Sequence, residues 1–83
     1  MTAERHLLRL TERGVYKGPF VETNCDPADD DRCRELLEER VMAVRGTLRL
    51  DLSHFTLEIC PPSGGRVIRF VSVDKSGRTT FTR

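Results

Sequence analysis

Four side chains of this sequence are of the types that make a tetrahedral zinc site: Cys25, Cys33, His54 and Cys60. Thiolate and imidazole are common zinc ligands, and a small core gains from a metal staple. The spacing argues against such a site. Zinc modules bring their ligands in pairs about two to four residues apart, whereas the intervening stretches here are seven, twenty and five residues long. The cysteines are therefore read as structural, with no metal and no cofactor expected. A nucleophilic pair is the other chemistry on offer, because Cys25 precedes a helix N-terminus that would lower its pKa and His54 is a base. No motif surrounds Cys25, and nothing in the sequence brings it to His54. Asp29, Asp30, Asp31, Glu35, Glu38 and Glu39 follow one another along a single element. That is the pattern of a solvated acidic face or a docking surface for a basic partner, not of a general acid and base set across a cleft. Gly64-Gly65 lacks the lysine and hydroxyl of a phosphate loop and reads as a turn. The chain is expected to act without catalysis.

Charge is distributed unevenly. The formal net charge is only +1, which does not suit a dedicated nucleic-acid binder. Residues 1–44 carry seven basic against ten acidic side chains, and residues 45–83 carry seven against three. Arg5, Arg9 and Arg13 recur every four residues near the start, and Arg66, Arg69, Lys75, Arg78 and Arg83 gather near the end. Three cysteines make an odd number, ordinary for a reducing cytoplasm and unlike a secreted disulfide framework. The first residues do not read as a signal peptide, and no apolar run approaches the ~20 residues of a membrane span. A cytoplasmic location and no membrane partner are expected.

The elements that would position these groups follow from periodicity. Thr2 as a cap, Ala3, Leu7 and Leu10 at helical spacing and Gly14 as a terminator predict a short first helix with the arginine stripe on one face. Residues 14–23 favour one or two short extended pieces, held to an edge by Pro19. A longer helix opens at Cys25-Asp26-Pro27 with Asp26 as N-cap, buries Cys33, Leu36, Leu37, Val41 and Val44, and ends at Gly46. From Thr47 the pattern turns to strands, first with Leu48, Leu50 and Leu52, then with Phe55, Leu57 and Ile59. The apolar phase slips by one residue at Ser53-His54, which demands a bulge or tight turn. Arg66 to Val73 and Thr79 to Arg83 complete the set, joined by the turn at Asp74-Lys75-Ser76-Gly77.

At 83 residues the chain is long enough for one small domain spanning 1–83. The expected fold is α+β, two helices packed on one face of a three- to four-stranded antiparallel β-meander. The expected function is that of a protein-interaction module, a small adaptor, inhibitor or regulatory subunit, whose partner is another protein or its own copy. Arg5, Arg9 and Arg13 on one surface and Asp30, Glu35 and Glu38 on another are the candidate contact residues. The alternative is nucleic-acid binding through Arg66, Arg69, Lys75 and Arg78 of the C-terminal hairpin together with the arginine stripe.

Overall fold

The computed structural model describes residues 3–82. It contains one α-helix and six strands: β1 (Glu4–Glu12), β2 (Val15–Tyr16), β3 (Val21–Cys25), α1 (Asp30–Arg45), β4 (Phe55–Cys60), β5 (Arg69–Val73) and β6 (Thr79–Thr82), with a 3-10 turn at Leu52–His54. This overturns the expectation of two helices on a meander. The strands form one antiparallel sheet in the order β2-β1-β4-β5-β6, with β3 also pairing β1 beyond β2.

The segment expected to be the first helix is the central strand β1. Its inward side chains, His6, Leu8 and Leu10, alternate with Leu7 and Arg9, so a period of two fits as well as a helical one. Tertiary pairing decides between them. β1 pairs β3 on one side, from Glu4↔Cys25 to Leu8↔Val21, and β4 on the other, from Leu7↔Cys60 to Glu12↔Phe55. Gly14 closes a two-residue turn between Glu12 and Val15 rather than capping a helix. Arg13 and Gly14 have φ of 52° and 83°, the positive values a type I′ hairpin requires. The expected cap Thr2 lies outside the described residues.

β3 and β4 are both antiparallel to β1 on its two sides and hence parallel to each other, so α1 is the crossover between them. Asp29, not Asp26, is its N-cap, accepting a hydrogen bond from the Arg32 amide at 3.1 Å, and Gly46 ends it in the left-handed conformation. Asp26 and Pro27 instead form the turn that enters the helix, with Asp26 Oδ1 accepting from the Ala28 amide. Cys33, Leu36, Leu37 and Val41 pack from α1 onto Leu8, Leu10, Cys25, Phe55, Leu57, Ile59, Val71 and Val73 of the sheet. Each fully buried Leu, Val or Phe there contributes roughly 1.5–3 kcal/mol by leaving water. Thr47 to Asp51 is a loop, not the first strand of a meander. Asp51 then caps the 3-10 turn that resolves the phase slip at Ser53-His54.

One face of the sheet thus lies under α1 and, among the described residues, the other carries no second layer of helices or strands. The connection from β2 to β3 approaches the end of α1 so closely that a Cβ built on Gly18 would stand 2.7 Å from Val44 Cγ2.

Candidate interaction surfaces

The open face of the sheet is organised around Arg9. Arg9 Nε donates to Glu58 Oε1 at 2.9 Å across the β1–β4 pairing, and the Tyr16 hydroxyl donates to the same oxygen at 3.1 Å. The guanidinium also lies 5.6 Å from the Tyr16 ring centre and 5.8 Å from that of Phe20, and these two rings meet edge to face. The hydrogen bond to the Glu58 carboxylate raises the Tyr16 hydroxyl pKa above its ordinary value. Arg9 and Glu58 are only 15% and 13% exposed, so Arg9 is an internal member of this cluster and not a free contact residue.

The other sequence-predicted contacts fare differently. Arg5 shares the open face and pairs with Glu22 at 3.1 Å while remaining largely exposed. Arg13 leaves the strand, its guanidinium 3.3 Å from the His54 ring. The arginine stripe is therefore neither helical nor continuous. Of the acidic set, Asp30 pairs with Arg69 at 2.8 Å, Glu35 shares Arg32 with Glu39, and Glu38 pairs with Arg34 at 3.1 Å. Arg34 also donates to Thr79 Oγ1 at 2.6 Å, tying the helix to the start of β6.

The four basic residues assigned to nucleic acid are not one surface. Arg69 points to the helix side, where it pairs with Asp30, donates to the Pro27 carbonyl and lies 4.2 Å above the Phe81 ring. Arg66 stands beside it at a cleft of about 850 Å³ bounded by Asp26 to Ala28 and Arg66 to Arg69. Lys75 and Arg78 sit in the turn at the opposite end of β5, and Arg83 lies outside the described residues.

The candidate metal ligands are equally scattered. His54 precedes β4 and Cys60 ends it, about 20 Å apart along the strand. Cys25 and Cys33 lie under the helix, whereas the alternation of β4 turns Cys60 to the other face. Burial raises the pKa of all three thiols, the opposite of an activated nucleophile. Among the described residues no group of three or more His, Cys, Asp or Glu side chains is arranged to hold a metal ion.

The remaining feature is the edge strand β6. The Asp74 amide donates to the Arg78 carbonyl, which makes Asp74 and Arg78 a hydrogen-bonded pair. With Val73↔Thr79 and Ser72↔Thr80 in register, the alternation of an antiparallel ladder turns the backbone of Thr80 toward β5 and that of Thr79 and Phe81 outward. Asp74 holds the turn by accepting from the Ser76 amide and hydroxyl and from the Arg78 amide. The Ser76 hydroxyl and then the Arg78 amide lower the Asp74 pKa, so this turn's stabilisation is present above the unfolded-state carboxylate pKa and is lost as pH falls through the folded value. The protection of the Arg78 amide, its exchange relative to the intrinsic rate at each pH, followed downward from about pH 6, is expected to fall as Asp74 protonates. Asp74→Asn should abolish that transition, and an unchanged pH profile in the variant would refute the assignment.

Sequence reasoning missed Glu58 as a partner of Arg9 because pairing of β1 with β4 across 49 positions leaves no local signal, and it missed Tyr16 and Phe20 because a helix over β1 would not fold them back beside Arg9 as the hairpin does. The fold and its surfaces define a single-sheet α+β domain with one helix-covered face, an aromatic and arginine cluster on the other and a free edge. Compared with known proteins, the chain matches no family, no curated protein and no solved structure. Among the described residues no helix is long and apolar enough to cross a membrane.

Proposed function

We propose that this chain is a non-catalytic protein-interaction module, an adaptor, inhibitor or regulatory subunit of the cytoplasm, that associates with its own copy through β6. The observation that supports this reading is the state of that edge. Edge strands are normally guarded by charge, proline or a bulge. The other edge has such guards, Pro19 before β3 and Glu22 within it, whereas β6 has charge only at its flanks in the sequence, Arg78 and Arg83, and none within Thr79-Thr80-Phe81-Thr82. An antiparallel two-fold pairing centred on Thr80 sets Thr79 opposite Phe81 of the second copy and satisfies all four outward backbone groups of each pair of residues. Thr80 then faces its own counterpart, a favourable cross-strand pair, and the only charge in the register is Arg78, at the end of the pairing opposite Thr82 of the second copy. Three free, buried cysteines agree with a reducing compartment.

The nucleic-acid alternative draws less support, since Arg9 and Arg69 are already paired with carboxylates of the same chain, Glu58 and Asp30, and the remaining basic groups are divided between two ends of the molecule.

So short an edge implies a weak dimer, with a dissociation constant of about 10 μM to 1 mM. Thr80→Lys would set two ammonium groups directly opposite each other at the centre of the pairing. Sedimentation across that concentration range is expected to show dimerisation of the wild type and a monomeric Thr80→Lys. A wild type that stays monomeric throughout, or a variant that dimerises equally well, would reject the pairing.

A further inference from the structure

Helix α1 has a second face that the core does not use. At 100° per residue, Met42 lies opposite the stripe of Cys33, Leu37 and Val41, where an amphipathic helix ordinarily presents charge. Met42 is nevertheless apolar and 44% exposed, and Leu48, just beyond the helix end, is 37% exposed beside it. With Ala43 they floor a groove of about 540 Å³ whose rim is Glu35, Glu38 and Glu39. Glu35, Glu38 or Glu39, and Met42 follow the i, i+3 or i+4, i+7 spacing that puts residues on one helical face. Three carboxylates stand against the two guanidinium groups that pair with them, those of Arg32 and Arg34, which leaves the rim acidic. Glu35 and Glu39 side chains are 62% and 58% exposed, so both keep oxygens available to another donor.

We infer that this groove takes a basic amphipathic peptide segment of a partner protein, with an apolar side chain on Met42 and Leu48 and arginine or lysine over the glutamates. Charge complementarity selects this occupant. An acidic segment would meet like charge at the rim, and an uncharged one would leave the rim carboxylates competing with water for nothing gained. Met42 is unbranched and adapts to side chains of differing shape, which suits a groove that accepts a sequence class. Arg49 follows Leu48, so the partner's basic residues belong over α1 and not beyond the helix end. The inference rests on the reading of the chain as an interaction module and adds the chemistry of a partner other than its own copy.

The test is to pan a random peptide library on the protein and measure the enriched peptides by calorimetry. Enriched sequences are expected to combine Arg or Lys with Leu, Ile, Met or Phe. Their affinity should fall at least about tenfold on Met42→Asp, and by a similar factor when Glu35, Glu38 and Glu39 are all changed to Gln. No enrichment, enrichment of peptides without net positive charge, or equal binding to Met42→Asp would each overturn the inference. Met42, Glu35 and Glu39 are solvent-facing and Glu38 is half-buried, and Glu to Gln keeps its shape, so circular dichroism and sedimentation of the same variants should match the wild type. A wild type that self-associates but binds no basic peptide rejects this inference alone, whereas a monomeric wild type that still binds basic peptides rejects the β6 pairing alone.

Discussion

Arg9→Ala is expected to cost about 3 kcal/mol of stability, a large share of the ~5–15 kcal/mol that holds a small domain folded. The change strands Glu58, only 13% exposed, with the Tyr16 hydroxyl as its remaining side-chain donor, and it removes the cation against which Tyr16 and Phe20 pack. An orphaned, nearly buried carboxylate is worse than no carboxylate. Arg9→Met combined with Glu58→Leu should therefore recover most of the loss and lie within about 1 kcal/mol of the wild type. Urea unfolding of Arg9→Met, Glu58→Leu and the double variant measures this directly as a coupling energy. If the two single costs simply add, the cluster is not the unit described, and the open face is held by something else.

Gly18→Ala should cost nearly as much for an unrelated reason. Gly18 has φ of 75°, which costs a Cβ-bearing residue about 1–2 kcal/mol, and the added methyl would stand 2.7 Å from Val44 Cγ2. Overpacking adds about 1–3 kcal/mol, for a total near 2–4 kcal/mol. The two contributions separate. On a Val44→Ala background the clash is gone and only the backbone strain remains, so Gly18→Ala should then cost about 1–2 kcal/mol. An equal cost in both backgrounds would mean that the β2–β3 connection does not rest on the helix end.

These two sites show where the sequence was readable. The long helix was evident because its signals are local: acidic residues at the start, an apolar stripe at helical spacing and Gly46 at the end. The hairpin of β5 and β6 was evident for the same reason, through Asp74 to Gly77 and the alternation on either side. β1 was misread because a spacing of four residues is a multiple of two as well as close to a helical turn, so Arg5 and Arg9 share a face in either geometry. Gly14 compounded this, since a left-handed glycine ends a helix and makes a type I′ turn equally well. The run Leu48, Leu50, Leu52 alternates like a strand, yet β4, the strand it leads into, already has β1 and β5 at its sides and cannot pair with it. The contact surfaces were less readable than the fold. The glutamates of α1 announced themselves, but the apolar floor beside them did not, because Met42 looks like any helix former until Leu48 is seen to stand next to it.

The proposal that β6 is the self-association edge is tested most directly by amide hydrogen exchange at Thr79 and Phe81. Their N–H groups point away from β5, so in the monomer they exchange with solvent while Thr80 and Thr82, bonded to β5, are protected. Pairing of two copies predicts that Thr79 and Phe81 gain protection as the protein is concentrated from about 10 μM to 1 mM, with no change at Thr80, and that Thr80→Lys loses the gain. Rapid exchange at Thr79 and Phe81 that is the same at both concentrations would contradict it.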